Sequence, residues 1–441
     1  MSDTSQQQGA PSVFDAHHAP ESDLINKCVH CGFCLQTCPT YVLWGEEMDS
    51  PRGRIYLMKL GSEGKIAMTP TFVQHFDHCL GCMACMTACP SAVPYDKLIE
   101  ATRAQIERNF PRSSSTRIFR KLVFSVFTNP GLLRFLSVPL WVYQRSGLQA
   151  LARGVGLLKL LPKRLQSMES LLPRISLHSA TGSRIAAAGQ QRRRVGLMLG
   201  CVQRVFLDRV NAATARVLAA EGCEVIIPES QPCCGALMIH AGEERQALDL
   251  ARQMIDAFER AEVDTVVINA AGCGSTVKEY GYLLRDDPQY AERAKAFAAK
   301  CKDISEVLAE LKPQAPRNPL KLKVAYHDSC HLQHAQGIKS QPRAVLGTIP
   351  GLQVVDVPEG PICCGSAGIY NLVQPETAEE LGDRKARNVI STTPDVVATG
   401  NPGCLFQIHR GLERAGHKVP VLHMVELLDA SIRGESPPTT M

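Results

Sequence analysis

The sequence lacks the features that mark membrane-spanning and secreted proteins. It contains no run of about eighteen apolar residues, so we predict no membrane-spanning helix. Residues 1–21 are polar and lack the apolar core of a secretory signal, so we expect no such signal. Aromatic residues make up only 5% of the chain, although the 45% of hydrophobic residues is ordinary for a soluble globular protein. No glycine-rich G-x-G-x-x-G turn follows a predicted strand, so the sequence predicts no dinucleotide-binding site.

Basic residues are concentrated in one segment. The formal net charge is +5, but residues 105–194 alone contain sixteen lysines and arginines against two glutamates. No nucleic-acid-binding motif accompanies this charge, so we expect no nucleic-acid partner. Apolar residues are interleaved with the basic ones as in short amphipathic helices, which we predict to break at Pro130, Pro139 and Pro162. Such helices suit packing on the next domain, docking to a partner protein, or direct contact with a membrane surface.

Cysteine is abundant, and eight of the eighteen cysteines form two runs of identical spacing. Both runs read C-x2-C-x2-C-x3-C-P, the spacing of bacterial ferredoxins with two clusters, in which the fourth cysteine of each run binds the cluster of the other run. The proline after each run removes a backbone donor and turns the chain. The predicted ligands are Cys28, Cys31, Cys34 and Cys89 for one [4Fe–4S] cluster, and Cys38, Cys79, Cys82 and Cys85 for the second.

Structural zinc is the alternative explanation for these runs. Zinc ribbons, however, usually present two C-x-x-C pairs separated by a longer stretch, which this sequence does not have. Many thiols in a chain without a secretory signal also indicate a reducing compartment, where cysteines bind metal rather than form disulfides. We expect the clusters to contribute much of the folding energy of this small module, since metal binding is coupled to folding.

The C-terminal half contains an internal repeat. In each copy a predicted strand ends at a cysteine, a Cys-Cys-Gly turn follows, and a later strand leads to Gly-Cys. The matched cysteines are 129 to 131 residues apart, and they pair Cys201 with Cys330, Cys233 with Cys363, Cys234 with Cys364, and Cys273 with Cys404. Strands alternate with helical patterns in both copies, which predicts two α/β lobes with parallel sheets.

The predicted fold class is therefore α/β, with an N-terminal α-helical, bacterial-type two-[4Fe–4S] ferredoxin module and a C-terminal half that is a duplicated α/β lobe with parallel sheets. The predicted segments are a disordered tail at 1–22, the ferredoxin-like domain at 23–104, a basic amphipathic helical linker at 105–192, and the first and second Cys-Cys-Gly lobes at 193–318 and 319–441. Cys223 and Cys301 have no counterpart in the repeat, and we predict them to be core residues.

Each lobe brings four cysteines to the ends of its strands, where α/β folds bind their ligands. Two interpretations remain open: a further Fe–S or other metal centre in one or both lobes, or buried structural thiols. Three histidines near the first cysteine of the second lobe, His327, His331 and His334, are candidates to tune or ligate a centre or to transfer protons to a quinone; the alternative, more frequent for histidine, is a hydrogen-bonded structural residue. The candidate lobe ligands are Cys201, Cys233, Cys234 and Cys273, and Cys330, Cys363, Cys364 and Cys404.

Together, the two cysteine runs and the two Cys-Cys-Gly turns resemble the family that holds the iron–sulfur subunit of glycolate oxidase. The resemblance is carried by residues 28–34, 49–55, 233–237, 330–334 and 363–371, and it covers nearly the whole chain after the tail. Related members are the iron–sulfur subunit of anaerobic glycerol-3-phosphate dehydrogenase, lactate-utilisation proteins and heterodisulfide reductase subunits. The last group has a fifth cysteine in each lobe, where this sequence has Thr276 and Gln407. With four thiols per lobe, three kinds of centre remain open: a cubane cluster, a partly occupied site, or a metal other than iron.

The resemblance implies a membrane-associated, FAD-linked glycolate dehydrogenase of which this chain is the iron–sulfur subunit. A separate FAD-binding partner would oxidise glycolate to glyoxylate, and this chain would pass electrons from that flavin towards quinone. The chain itself would carry neither a flavin nor a catalytic residue, and it would be cytoplasmic with peripheral contact to the inner membrane. The alternatives are the iron–sulfur subunit of a related lactate or glycerol-3-phosphate dehydrogenase, a heterodisulfide reductase-like catalytic subunit, or a non-enzymatic scaffold or sensor.

Overall fold

The computed structural model describes residues 12–177 and 182–439. These residues divide into two compact units. The first unit contains residues 12–118 and the segment Met238–Glu244, and the second contains the rest of the described chain. Half of the predicted tail, residues 1–11, lies outside the described residues, and the predicted segment boundaries remain predictions.

Short helices build the first unit. They are α1 Ser22–Ile25, α2 Pro39–Trp44, α3 Pro51–Ser62, α4 Pro70–Asp77, α5 Ala84–Thr87 and α6 Tyr95–Asn109, with 3-10 turns at Leu35–Thr37 and Glu47–Asp49. Ser50 caps α3, since its hydroxyl accepts a hydrogen bond from Gly53 N at 3.0 Å. Thr69 caps α4 in the same way. Both helices start with a proline, at the position where a missing N–H costs no hydrogen bond.

The basic segment is helical, as predicted. It contains α7 Ser114–Phe127, α8 Pro130–Arg145, α9 Leu148–Gly154, a 3-10 turn at Leu157–Leu160, and α10 Lys163–Ser170. The predicted break at Pro139 is wrong, because α8 runs through this residue and forgoes only the hydrogen bond that a proline nitrogen cannot donate. Among the described residues, no single helix has the length and apolarity to cross a membrane. The helices α7 and α8 have the length and apolarity of a membrane span only when they are counted together, and they are bent by 96° at their junction.

The duplicated region contains two sheets with the same arrangement of parallel strands. The described strands are β1 Arg184–Ile185, β2 Arg193–Met198, β3 Cys223–Ile226, β4 Thr265–Ile268, β5 Cys301–Asp303, β6 Lys323–Tyr326, β7 Gln353–Asp356, β8 Val396–Thr399 and β9 Val421–His423. The first lobe has the order β1-β3-β2-β4-β5, in which only β1 is antiparallel, and the second has the parallel order β7-β6-β8-β9. The predicted fold class is confirmed.

Helices follow the strands in both lobes and bury a common hydrophobic core. In the first lobe they are α11 Gln203–Phe206, α12 Asp208–Ala220, α13 Ala236–Ile239, α14 Glu244–Glu259, α15 Ala271–Lys278, α16 Tyr280–Leu283, α17 Ala291–Lys300 and α18 Ile304–Glu310. In the second they are a π-helical turn at His331–Ala335, α19 Ser340–Leu346, α20 Tyr370–Val373, α21 Pro375–Ser391, α22 Pro402–Arg414 and α23 Met424–Arg433. Arg216 of α12 pairs with Asp429 of α23 at 2.6 Å and joins the lobes.

The topology brings the repeated cysteines to the carboxyl ends of the strands. Cys201 and Cys330 follow the central strands β2 and β6. Cys273 and Cys404 lie in the first turns of α15 and α22, directly after β4 and β8. Because β2 pairs with β4 and β6 pairs with β8, the strand-end cysteines of each lobe are neighbours.

Candidate metal centres

The first predicted ligand set lines one cavity in the first unit. Cys28, Cys31, Cys34 and Cys89 all border a cavity that is partly open to solvent. Cys31 is exposed, and the other three are half-buried. The fold thus brings three cysteines of the first run together with the last cysteine of the second, as the exchange of ligands between runs requires.

The loop around Cys31 has an unusual backbone shape. His30 and Gly32 adopt positive φ angles of 54° and 88°. The backbone angle at Gly32 favours glycine, and a Cβ atom there would displace Arg52 Nη1, which lies 2.6 Å from its position. Arg52 Nη1 donates to His30 O at 3.1 Å, while its Nε and Nη2 bind the Glu47 carboxylate at 2.6 and 3.1 Å. Arg52 therefore holds the loop and brings a positive charge to the rim of the cavity.

The second predicted ligand set is buried. Its members are between 6 and 9% exposed, and they are Cys38, Cys79, Cys82 and Cys85. Cys79 Sγ accepts a hydrogen bond from Gly81 N at 3.4 Å and lies 3.6 Å from the Tyr95 hydroxyl. Burial, followed by the nearby thiols of the other three members, raises the pKa of Cys85 well above its ordinary value. These interactions show that the fold gathers the second set as well.

Two arginines approach the buried set. Arg54 is almost fully buried, donates from Nε to His75 O at 2.6 Å, and pairs with Asp49 at 3.1 Å. Arg103, in the middle of α6, donates to the carbonyl oxygen of Cys79. Burial alone would raise the pKa of the Cys79 thiol, but Arg54 and Arg103 hold it below its ordinary value. The sequence analysis missed Arg103, because nothing in a helical stretch outside both runs signals such a contact.

Both sets fit iron–sulfur clusters by their chemistry. Each offers four sulfur atoms, and ligation requires these thiols to lose their protons. The positive charges of Arg54 and Arg103 favour thiolates in the buried set, where desolvation opposes them. One site is open at an edge and the other is enclosed, so the first is the accessible one. The assignment of each cysteine to its cluster remains a prediction.

In the first lobe the four repeated cysteines form a row. Cys201 Sγ and Cys233 Sγ are 3.3 Å apart, and the thiol of Cys234 interacts with that of Cys273. The contact with Cys233, together with burial, raises the pKa of Cys201 well above its ordinary value. Arg204 lies within electrostatic range of three of these thiols. The row therefore offers four sulfur atoms to a metal centre.

The second lobe repeats this row and adds a histidine. Cys330 Sγ and Cys363 Sγ are 4.0 Å apart, and Cys364 Sγ and Cys404 Sγ are 3.6 Å apart. One ring nitrogen of the buried His327 and the sulfur atoms of Cys364 and Cys404 all lie within 4.8 Å of one another. Burial lowers the pKa of His327 well below its ordinary value, so the ring is neutral at pH 7.

Two further polar side chains reach the second-lobe thiols. Lys385 of α21 is buried and donates from Nζ to Glu359 O at 2.8 Å; burial lowers its pKa, which the nearby thiols oppose. Asn401 donates from Nδ2 to Cys404 Sγ at 3.6 Å, and its Oδ1 accepts a hydrogen bond from Gly272 N of the first lobe at 3.1 Å. The sequence analysis missed Lys385. The bond from Asn401 links the helix that carries Cys404 to the helix that carries the corresponding cysteine of the first lobe.

Three family models match the chain. The model described as "4Fe-4S dicluster domain" matches residues 24–93, the model "Cysteine-rich domain" matches residues 195–278 and 324–409, and the model "Glycolate oxidase iron-sulfur subunit, linker region" matches residues 115–172. A Bacillus subtilis (strain 168) protein described as "Probable glycolate oxidase iron-sulfur subunit" is 40% identical over 417 residues, which cover 92% of this chain and 94% of the relative. The chain belongs to the family of glycolate oxidase iron–sulfur subunits.

Two other relatives are similar to the chain. The "Glycolate oxidase iron-sulfur subunit" of Escherichia coli (strain K12) is 36% identical over 95% of this chain and 97% of its own length. "Lactate utilization protein A" of Halalkalibacterium halodurans is 34% identical over 54% of this chain and 96% of its own length. As a glycolate oxidase iron–sulfur subunit, the chain is an oxidoreductase subunit that carries iron–sulfur clusters and forms a complex with other subunits. The resemblance and the predicted class of cofactor are confirmed.

Proposed function

We propose that the chain carries electrons to quinone from an FAD-binding partner that oxidises glycolate to glyoxylate. The observation that supports this most strongly is the juxtaposition, in one unit, of a solvent-open cavity lined by four cysteines and a second, buried set of four. The identity of the substrate comes from the names of the relatives that match almost the full chain. The chain would act on neither glycolate nor FAD itself.

The proposed reaction balances in electrons and protons. Oxidation of glycolate to glyoxylate releases two electrons and two protons, which are transferred to the flavin of the partner. Reduction of quinone to quinol takes up two of each. Bound [4Fe–4S] clusters would supply one-electron carriers between these two-electron reactions. The cysteines would hold these carriers as thiolates, and Arg54 and Arg103 would lower the electrostatic cost of the buried set.

Electron entry is proposed at the cavity lined by Cys31. This cysteine is exposed, and two large apolar neighbours, Val29 and Phe33, are 67% and 68% exposed. Large apolar side chains at an otherwise polar loop are typical of a surface that a partner covers. A flavoprotein docked there would approach the first ligand set without any change in the buried one.

The exit is proposed at the second lobe, and it can be tested in the native complex. The full chain carries an affinity tag and is purified anaerobically with its partners. Glycolate, lactate and glycerol 3-phosphate are then offered with an artificial acceptor and with a soluble quinone. We expect oxidation of glycolate with both acceptors. We expect Cys364→Ser to retain glycolate-dependent reduction of the flavin and of the ferredoxin clusters but to lose reduction of quinone.

Cys301→Ser is the matched control, because Cys301 is equally buried but lies outside both rows. Its thiol donates to Phe297 O at 3.3 Å, and a serine hydroxyl can make the same bond. Quinone reduction at the parental rate in Cys364→Ser would contradict the proposed exit. A complex that oxidises lactate and not glycolate would instead support the function named for the lactate utilization relatives.

We also propose that the basic linker binds the cytoplasmic face of the inner membrane. α10 packs against the second lobe, where Ser167 Oγ donates to Asn371 O at 2.9 Å, so one face of the linker is occupied. Elsewhere the linker is unusually apolar at its surface: fourteen of the eighteen large hydrophobic side chains exposed in the described chain lie between residues 118 and 177. Lys121, Arg134 and Lys159 are exposed among them. Apolar side chains and cations on one surface complement anionic lipid.

Liposome sedimentation tests this second part of the proposal. The triple variant with Lys121, Arg134 and Lys159 changed to Gln should lose binding to vesicles that contain anionic lipid, with the larger effect at low salt. The control changes three exposed lysines outside the linker, Lys295, Lys312 and Lys418, to Gln. It removes the same charge and should bind like the parent. Equal binding by all three proteins would contradict attachment through these cations, and no binding by the parent would contradict membrane attachment and favour docking of another subunit on this surface.

A further inference from the structure

The two lobes share their cysteines but differ at two buried positions beside them. Met198 ends β2 in the first lobe, and the corresponding residue of the second lobe, 129 positions later, is His327. Both side chains are 1% exposed. Gly235 contacts Ala247 and Gly365 contacts Ala378 in the same way, so helices α14 and α21 correspond with an offset of 131. The residue that corresponds to Lys385 is therefore Met254.

His327 is not satisfied as an ordinary core histidine. Neither Nδ1 nor Nε2 has a hydrogen-bond partner among the described residues, and both atoms are buried. Leaving a buried polar group without a hydrogen-bond partner destabilises the folded state. A core position with no other task would be filled better by an apolar side chain, as Met198 fills it in the first lobe. The unpartnered ring instead lies beside the sulfur atoms of Cys364 and Cys404.

We propose that His327 is a metal ligand, and that it binds through one ring nitrogen the same metal as Cys364 and Cys404. This inference rests on the proposed function only in that it requires a metal in the second lobe. Iron and zinc both accept a ligand set of one imidazole and two thiolates. The second-lobe centre is then a mixed nitrogen–sulfur site, whereas the first lobe has thiols alone at the corresponding place.

The differences between the lobes at these two positions affect the reduction potentials of their centres. The neutral imidazole adds a donor atom without adding negative charge, whereas a thiolate at the same place would make an iron–sulfur centre more negative and lower its reduction potential. Lys385 lies where the first lobe has Met254, within electrostatic range of Cys363, Cys364 and Cys404, and a positive charge there favours the reduced and more negative state. If the metal is iron, the second-lobe centre is therefore the more easily reduced of the two. That order agrees with electrons leaving the chain from the second lobe.

The test uses the full chain in its native complex, labelled with 15N in the histidine rings. Iron and zinc are counted per chain, and a reduced iron centre is examined by electron–nuclear double resonance. We expect a strong coupling to a histidine nitrogen in the parent that is lost in His327→Met, which carries the residue of the first lobe. Tyr326→Phe is the matched control, because it changes the neighbouring buried residue and should keep the coupling. If the lobe holds zinc, absorption spectra at the zinc edge should show mixed nitrogen–sulfur ligation that becomes all-sulfur in His327→Cys.

His327→Cys also guards against a variant that fails to fold, since it keeps a donor atom at the same place. The inference is overturned if His327→Met and His327→Cys leave the coupling and the zinc-edge spectrum unchanged, or if the parent shows no nitrogen ligand. It is equally overturned if the parent holds no metal beyond the clusters of the first unit. The proposed function fails separately, if the first unit lacks its two clusters, whatever metal the second lobe contains.

Discussion

Gly365 offers the sharpest test of how the fold holds the second-lobe thiols. It ends the Cys-Cys-Gly turn with a φ of 90°, and a Cβ atom there would lie 2.6 Å from Ala378 O, in the backbone of α21. The change Gly365→Ala therefore has two costs. An L-residue in the left-handed region costs roughly 1–2 kcal/mol, and overpacking against an unyielding backbone costs about 1–3 kcal/mol more.

Two other glycines separate these costs. Gly337 has a φ of 69° and open space around the position of its Cβ, so Gly337→Ala should carry only the backbone cost. Gly235, the counterpart in the first lobe, has a φ of 78°, and its Cβ would lie 3.1 Å from Ala247 O. We expect losses of stability in the order Gly365→Ala, Gly235→Ala, Gly337→Ala. For Gly365→Ala the loss should be about 2–5 kcal/mol.

Hydrogen exchange of peptides from α21 and β6 measures the stability of the second lobe directly, and exchange of peptides from α14 and β2 measures that of the first lobe, which carries Gly235. The same proteins are assayed for metal bound beyond the clusters of the first unit. Gly365→Ala should increase exchange and release the second-lobe metal, because the turn carries two of its candidate ligands, whereas Gly337→Ala should keep the metal. Equal exchange in Gly365→Ala and Gly337→Ala would refute the steric argument. Loss of metal without any change in exchange would show that the turn moves at no cost to the lobe.

Three further predictions concern single side chains. Cys31→Ser should remove one cluster's paramagnetic signal and about four irons per chain, whereas Cys301→Ser should keep both; zinc without iron in the parent would contradict this. Arg103→Met should lower the reduction potential of the buried cluster only, because the loss of a nearby cation disfavours the more negative reduced state; a redox titration followed by paramagnetic resonance that shows equal shifts in both clusters would argue against it. Burial raises the pKa of Asp303 to about 6, so the folded chain binds this proton more tightly than the unfolded chain, and stability falls as the pH rises from 3.8 to 6. Asp303→Asn keeps the helix cap and should stabilise the protein by on the order of 3 kcal/mol at pH 7.5. Urea unfolding should show a smaller gain in the free energy of unfolding at pH 5. A gain that is independent of pH would show that the charge is not the cause.

Much of the candidate site could be predicted from the sequence because its ligands are encoded by spacing. A cluster that binds cysteines two and three residues apart imposes that spacing on one short run of chain, whatever the rest of the fold does. The repeat could be predicted for a similar reason, since duplication leaves matched strands and turns at a constant offset. Pro139 shows the limit of local rules: a proline predicted a break, yet the surrounding helix continues through it.

The surroundings of these ligands were decided by tertiary structure alone. Arg103 reaches Cys79 from α6, which is the second helix after it, and Lys385, about twenty residues beyond the Cys-Cys-Gly turn, reaches the second-lobe thiols from α21. The number of residues between each charged side chain and its cysteines follows no helical or strand period, so no sequence pattern predicts the contact. The sequence by itself determined which atoms can bind metal, because ligand spacing is local. Only the folded chain decided which buried charges and which unpartnered imidazole face those atoms, because desolvation and electrostatic interaction depend on distance in space and not on separation along the chain.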